Sequence, residues 1–361
     1  MKTRPRRLLA RALLCAACLA ILATMAFEVY AVWVQREGGL PLPPHFGNFP
    51  RVRAPLENAP RKAEFSFAVV GDTKSMGTFE RISEELRELP LDFAVLLGYC
   101  SYAGTERDHR YFRAEAADEY TLPYPVFYVV GNHDVSPDEF TVARFEEDYG
   151  PSIFRFEYQG CLFIVLRVLN PPFTNEDSIA FLEQLAAEGI GHYRRRFVFM
   201  HIPPAISDDF RARKYTESPD IVDLFDRLDI DYVFAGDFHG YARVELRGTT
   251  YIVTGGGGAH LADYRDRPQF HHALVMRIAE DSVHESIVYM PPHEELEDRA
   301  ERLAIAEIYP WLRGHPLAAG LINAAILAVL IVACRWLLFA GGRRKPLQEG
   351  DGDAGPSRAT P

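Results

Sequence analysis

Two long apolar stretches, one near each end of the chain, constrain its folding more than any other feature of the sequence. Residues 12–34 contain no charged side chain before Glu28, and residues 317–334 contain none. About 20 apolar residues, each rising about 1.5 Å, span the roughly 30 Å hydrocarbon core of a bilayer. We therefore predict transmembrane helices over 12–34 and 316–340. A cleaved signal peptide is the alternative for the first stretch, and a buried core helix is the alternative for the second.

The charges that flank these stretches predict the topology. Residues 1–11 are basic, and Arg343, Arg344 and Lys345 follow the second stretch. The positive-inside rule places both termini in the cytoplasm and the main domain on the extracytoplasmic side. Because the sequence has no Asn-x-Ser/Thr acceptor, a periplasmic domain on a bacterial inner membrane is the preferred setting.

The charge of the central segment excludes one class of partner. Residues 1–34 and 335–361 carry +4 and +2 of the net charge of −11, so the segment between them carries −17. An acidic surface of this size repels polyanions. We therefore expect no nucleic-acid partner.

Between and beyond the apolar stretches, the sequence divides into four segments of different composition. Residues 35–62 contain six prolines and are predicted to form an extended linker. Residues 63–292 alternate short apolar runs with helical patterns, which predicts a layered α/β (α+β) domain. Residues 293–315 have the pattern of an amphipathic juxtamembrane helix, and residues 341–361 that of a disordered cytoplasmic tail.

The secondary structure of the central domain follows from these patterns. Predicted strands cover 65–70, 93–97, 126–130, 154–158, 161–168, 197–200, 232–234 and 251–253, and predicted helices cover 78–89, 137–149, 175–188 and 219–228.

Polar motifs follow several of the predicted strands at the point where each strand ends. They are Gly71-Asp72-Thr73-Lys74, Gly98-Tyr99-Cys100-Ser101-Tyr102, Gly131-Asn132-His133-Asp134, Met200-His201 and Gly236-Asp237-Phe238-His239. Each motif alone is weak evidence, since an Asp after a strand is often a helix cap. Together they bring one Asn, three His and several Asp to one edge of a sheet, which is the requirement of a hydrolytic metal site.

In these motifs the chain resembles the calcineurin-like metallophosphoesterases over about residues 64–290. The resemblance extends to the stretches 149–151, 239–241 and 251–258. It implies a β-sandwich flanked by helices, with two metal ions at the strand ends. It also implies hydrolysis of phosphate mono- or diesters. The position at a membrane suggests lipid- or envelope-derived phosphate esters as substrates.

The resemblance also implies roles for the residues that match the family's motifs. Asp72 and His239 match ligands of the first metal, and Asn132 and His201 match ligands of the second. His133 matches the residue that assists the leaving group, with Asp134 orienting it.

Three positions depart from the family's pattern: Lys74 and Asp237 each replace a histidine, and Tyr99 replaces the aspartate that bridges the two metals. Two divalent ions about 3.7 Å apart repel each other by about 18 kcal/mol at an effective dielectric of 20. A phenol is neutral near pH 7 and does not offset that repulsion.

These departures lead to a hypothesis of one divalent ion (Mn, Fe or Zn) rather than two. The ion is held by Asn132, His201 and Asp237, while the Lys74 ammonium stands in for the other ion and stabilises phosphoryl oxygens.

Two alternatives remain open. Purple acid phosphatases carry an iron-binding tyrosine three residues after the bridging aspartate, and Tyr102 has that offset from Tyr99. Asp72, Tyr102 and His239 would then hold a ferric ion. Alternatively, the altered site is inactive and the domain is a binding or scaffold module of the envelope.

Overall fold

Among the residues that the structure describes, eleven β strands form two sheets in the computed structural model. The structure describes residues 3–34, 41–74, 77–120, 122–207, 218–262, 269–292 and 296–339. The chain divides into two compact units, residues 31–310 and residues 1–30 with 311–361. The eleven strands all lie in the first of these units.

The first sheet has the strand order β11-β10-β1-β2-β3, and the second has the order β4-β5-β6-β7-β9-β8. Strands β1 to β3 run parallel, as do β5, β6, β7 and β9. Antiparallel strands β10 and β11 extend one side of the first sheet, and antiparallel strands β4 and β8 form the two edges of the second. The strands are β1 (Phe65–Val70), β2 (Phe93–Leu96), β3 (Val126–Tyr128), β4 (Phe154–Tyr158), β5 (Cys161–Val165), β6 (Arg196–Met200), β7 (Tyr232–Ala235), β8 (Tyr241–Leu246), β9 (Thr249–Thr254), β10 (His271–Ile278) and β11 (Val283–Met290).

Helices cover the outer faces of both sheets, and two further helices are long and apolar. The helices are α1 (Thr3–Val34), α2 (Arg53–Glu57), α3 (Gly77–Arg87), α4 (Glu106–Asp118), α5 (Val142–Tyr149), α6 (Glu176–Glu188), α7 (Ser218–Arg227), α8 (Leu296–Arg302), α9 (Tyr309–Gly314) and α10 (Pro316–Phe339), with a π-helical segment over Leu303–Ile308.

Aromatic side chains fill the space between the two sheets. The Phe163 ring lies 5.6 Å from that of Phe67 and 5.1 Å from that of Phe93, which belong to the opposite sheet, and 5.0 Å from that of Phe197. These four side chains are fully buried. Aromatic residues have high β propensity and bury large areas, so the same side chains favour the strands and join the sheets.

The predicted α/β architecture is confirmed as a mixed α/β fold with two sheets. Each predicted strand overlaps an observed one, because central parallel strands are buried on both faces and read as continuous apolar runs. The helix predicted over 137–149 begins at Val142 instead. Thr141 caps it, since its hydroxyl accepts a hydrogen bond of 3.2 Å from the Arg144 amide.

The prediction of an extended linker over 35–62 is wrong for residues 41–57. Phe46, Val52 and Leu56 are buried in the domain, and Val52 and Leu56 lie in the core between the sheets. The Asn48 side chain donates to the Tyr128 carbonyl at 2.8 Å and accepts from the Tyr128 amide at 2.8 Å. The prolines of this segment therefore shape a packed surface layer. Residues 35–40 and the predicted tail 341–361 lie outside the described residues.

The second unit contains most of α1 and all of α10. Its spans Leu9–Val34 and Pro316–Trp336 are long and apolar enough to cross a membrane. Within this unit Cys18 packs with Leu330 and Ala333, and the Asn323 amide donates to the Glu28 carboxylate at 2.6 Å.

The Asp134 carboxylate joins two of the loops that follow parallel strands. It is fully buried and accepts hydrogen bonds of 2.7–3.0 Å from the backbone amides of Gly131, Tyr99, Cys100 and Ser101. Burial raises the pKa of this carboxyl group to about 6, although the amide donors act in the opposite direction. The loops after β2 and β3 are therefore held in one fixed arrangement.

We predict that Asp134→Asn lowers the free energy of unfolding by about 3 kcal/mol, because either orientation of the new amide turns its NH2 group toward two buried N–H donors. Urea unfolding of the full-length protein in detergent, followed by circular dichroism, measures the change. Asp138→Asn, an exposed position in the same loop, is the matched control and should cost less than about 0.5 kcal/mol. Equal effects of the two substitutions would contradict the proposed role of Asp134.

Candidate metal centre

The loops after five strands meet at one edge of the sandwich. Several of their residues have left-handed backbone conformations, with φ of 56° at Asp72, 52° at Lys74, 61° at Tyr99, 62° at Asp237 and 54° at His239. Such conformations cost about 1–2 kcal/mol for residues other than glycine and cluster at functional sites. The surrounding fold therefore stabilises these loops in positions that local preference does not favour.

His201 is the centre of this edge and is fully buried. Its Nδ1 lies 2.6 Å from the Leu97 carbonyl oxygen, which is an acceptor, so Nδ1 carries a proton. Its Nε2 lies 2.9 Å from Asn132 Oδ1 and 3.7 Å from Asp237 Oδ1. In the neutral imidazole the Nε2 lone pair therefore faces two oxygen acceptors.

A second proton on His201, a rotated Asn132 amide or a bound cation resolves this arrangement. One imidazole nitrogen, one amide oxygen and one carboxylate oxygen are suitable ligands for a divalent transition metal. The Leu97 carbonyl fixes the ring so that Nε2 is the nitrogen available to the ion, as is usual for histidine ligands. Asn132, His201 and Asp237 thus fit a single metal ion.

Asp72 lies on the other side of His201 and is also fully buried. Its Oδ1 is 4.0 Å from His201 Nδ1. A Cβ atom at Gly255 would lie 2.2 Å from Asp72 Oδ2, so that position requires glycine. Part of the glycine run over 255–258 is explained by this close approach.

The Tyr99 ring fills the space between two histidines of the site. Its centroid lies 4.2 Å from that of His133, with the rings nearly perpendicular, and 5.0 Å from that of His239. Only 6% of Tyr99 is exposed. Within the described part of the chain, the motif residues do not bring three His, Cys, Asp or Glu ligand atoms within 4.8 Å of one another.

Lys74 and Arg302 form a cationic pair beside the tyrosines. The Lys74 ammonium lies 4.9 Å from the ring centroids of both Tyr99 and Tyr102, and the Arg302 guanidinium lies 3.8 Å from that of Tyr102. Burial lowers the pKa of Lys74, the Arg302 charge lowers it further, and the Asp72 charge raises it. Arg302 also forms an ion pair with Asp108 at 3.1 Å.

Sequence reasoning missed Arg302, which lies at the end of α8 and outside the strand-end motifs. Its position in a charged helical segment gave no signal that it reaches this edge of the sheets. Tyr102, a predicted iron ligand, has its ring against these two cations.

His133 is positioned by a backbone carbonyl. Its Nδ1 donates to the Tyr102 carbonyl oxygen at 2.7 Å, so in the neutral ring the lone pair is on Nε2. The resemblance assigns the orienting role to Asp134, whose carboxylate instead accepts from the amides of both loops. His239 donates from Nδ1 to the His260 carbonyl oxygen at 2.7 Å, so in its neutral ring the lone pair is likewise on Nε2.

Curated relatives of this chain include phosphatases. The serine/threonine-protein phosphatase CPPED1 of Bos taurus is 30% identical over 151 residues, which cover 38% of this chain and 48% of that protein. The human protein of the same name is 30% identical over 153 residues, with the same coverage. The chain spans about half the length of the curated relatives it matches.

Solved structures also align with the chain. A purple acid phosphatase from yellow lupin (Lupinus luteus) seeds aligns at 14% identity and a TM-score of 0.49, covering 66% of this chain and 55% of that one. A dimetal phosphatase from Danio rerio aligns at 12% identity and a TM-score of 0.48, covering 63% of this chain and 98% of that one.

The family model for calcineurin-like phosphoesterases matches residues 65–241, a segment that begins at β1 and contains each of the strand-end motifs. The family predicted from those motifs is thereby confirmed, and the domain that contains residues 65–241 belongs to the calcineurin-like phosphoesterases.

Proposed function

We propose that this chain is a membrane-anchored phosphoesterase that hydrolyses phosphate mono- or diesters with one divalent ion. The observation that carries the proposal is the position of His201 Nε2, which faces Asn132 Oδ1 at 2.9 Å and Asp237 Oδ1 at 3.7 Å. When bound, a divalent ion supplies Lewis-acid chemistry, polarising a phosphoryl oxygen and lowering the pKa of water.

His133 is the general acid in this proposal. Its Nδ1–H bond to the Tyr102 carbonyl fixes the ring, and the edge contact with the Tyr99 ring limits its rotation. The imidazolium form then holds a proton on Nε2, which it donates to the leaving oxygen. Positioned proton transfer of this kind contributes about 10²- to 10⁴-fold to the rate.

Lys74 and Arg302 bind the phosphate group. Both cations contact the Tyr102 ring, and their like charges repel each other, which adds to the effect of burial in lowering the pKa of Lys74. A phosphate oxygen near both cations relieves that repulsion. The charge that a second metal ion would supply is thus provided by side chains.

The apolar helices support the membrane part of the proposal. Several of their large apolar side chains are exposed within the described unit, for example Leu13 at 63%, Leu321 at 73% and Val332 at 68%. Such surfaces favour lipid over water. With the basic flanks, they favour cytoplasmic termini and an extracytoplasmic domain that acts on lipid- or envelope-derived phosphate esters.

A scaffold function is the second candidate, because Tyr99 occupies the place of the bridging acid and contacts both His133 and His239. In that case the loops bind a phosphate group without hydrolysing it. The two candidates predict different kinetic behaviour in the variants described below.

The number of ions at the His201 site can be measured as the difference in bound Mn²⁺ between the unmodified protein and a variant that lacks one ligand. Asp237→Asn should lose one equivalent of Mn²⁺ relative to the unmodified full-length protein in detergent, since a neutral amide is a weaker ligand than a carboxylate. Equilibrium dialysis with elemental analysis gives the count. Loss of two equivalents would instead indicate a dinuclear site.

Hydrolysis of an aryl phosphodiester with Mn²⁺ should fall about 100-fold or more in kcat for His133→Ala, because the general acid is lost. His192→Ala, at an exposed position in the loop between α6 and β6, is the matched control and should retain full activity. Equal activity in both variants would show that the hydrolysis does not arise from this site.

Tyr99→Asp tests whether the missing bridge limits catalysis. The new carboxylate should add one equivalent of bound Mn²⁺ and raise kcat, because it offsets the repulsion between two ions. The control is Tyr99→Asn, because the asparagine side chain has the shape of aspartate but not its charge. No hydrolysis by the unmodified protein, together with a gain in Tyr99→Asp, would favour the scaffold function.

A further inference from the structure

Three carboxylates meet in the domain at a place that the motif loops do not include. Glu80 lies on α3, Glu115 on α4 and Glu119 just after α4, and one oxygen of each lies within 4.8 Å of the other two. Only 3% of Glu115 is exposed, and the other two are half-buried. We call these three residues the carboxylate cluster.

A buried tyrosine lies on the same helix face as one member of this cluster. Tyr111 is 1% exposed, and among the described residues its hydroxyl has no hydrogen-bond partner. Tyr111 and Glu115 are four residues apart on α4, so their side chains lie on the same helix face. Burial raises the pKa of Tyr111, and the largest charge effect on it comes from Glu115.

The three groups repel one another when all are ionised, so the cluster takes up either protons or a cation. Burial, together with hydrogen bonds and charges of Glu119 and Asp298, raises the pKa of Glu80 to about 9. Burial and the neighbouring carboxylates raise the pKa of Glu115 well above its usual value. Tyr120 donates a long hydrogen bond of 3.3 Å to Glu115. The buried Oε1 of Glu80 has no hydrogen-bond partner among the described residues.

We propose that the carboxylate cluster binds a hard divalent cation such as Ca²⁺ or Mn²⁺, separate from the ion at His201. The donor set consists of carboxylate oxygens from Glu80, Glu115 and Glu119, and the Tyr111 hydroxyl provides a further oxygen. Hard cations prefer such oxygen-only sites, and their charge removes the repulsion among the carboxylates.

The bound cation would also stabilise the helix that carries Arg302. Asp298 on α8 is 6% exposed, raises the pKa of Glu80 and Glu115 through its charge, and accepts a hydrogen bond of 3.0 Å from the Gly77 amide of α3. Arg302 is four residues further along α8. A cation that fixes α3 and α4 beside Asp298 therefore helps to place the guanidinium against Tyr102.

Ion counting separates this site from the one at His201. We expect full-length Asp237→Asn protein in detergent to retain one equivalent of Mn²⁺, which Ca²⁺ displaces. The additional substitution Glu115→Gln should remove that equivalent or weaken its binding at least tenfold. Glu84→Gln, an exposed position on α3 paired with Arg81, is the matched control and should leave it unchanged.

Each outcome decides the proposal. Retention of the ion in Asp237→Asn/Glu115→Gln would overturn it, and so would the absence of any ion in Asp237→Asn, which would show that the cluster shares protons instead. If Glu115→Gln does not fold, tyrosine-sensitised Tb³⁺ emission from the Asp237→Asn protein is the second measurement. Emission that Ca²⁺ quenches supports the site, and emission that Ca²⁺ leaves unchanged contradicts it. Loss of hydrolysis in Asp237→Asn would test only the proposed function of the ion at His201, and it would leave the proposal for the carboxylate cluster unaffected.

Discussion

The orientation of one buried imidazole determines what the strand-end loops can do. The Leu97 carbonyl fixes the protonated nitrogen of His201, so the other nitrogen faces oxygens from Asn132 and Asp237. The three ligands come from loops after β3, β6 and β7, which belong to both sheets. The site therefore depends on the aromatic core, which holds the two sheets in a fixed position relative to each other. A change in sheet packing would separate the proposed ligands.

Much of the fold was predictable from the sequence because its central strands are buried on both faces. The hairpin of β10 and β11 was not predicted, since β11 is largely exposed and lacks a continuous apolar run. Helix α4 was also missed, although Thr105 and Asp108 form a cap in which the Asp108 amide donates to the Thr105 hydroxyl at 3.2 Å. That pair of residues was the available signal.

The motif residues were predictable as a group, because their order along the chain places them at strand ends. Their partners were not. Arg302 reaches the site from more than 200 positions along the chain from Lys74, and no local pattern encodes that contact. The carboxylate cluster likewise joins α3 to the end of α4. In the sequence, nothing distinguishes its glutamates from exposed charged residues. Only tertiary packing shows that Glu115 is buried.

In the proposed function, fixed cations take the place of one metal ion, and this changes what the site can achieve. An ammonium and a guanidinium stabilise negative charge on phosphoryl oxygens, as a second ion would, but they do not lower the pKa of water to near 7. In the proposed function, activation of the nucleophile therefore depends on the single ion at His201. Because Lys74 is half-buried and its charged form is disfavoured by Arg302, a phosphate group gains most from binding where both cations can contact it. This arrangement favours affinity for phosphate over speed of hydrolysis, which explains how one site geometry is compatible with both a slow enzyme and a binding module.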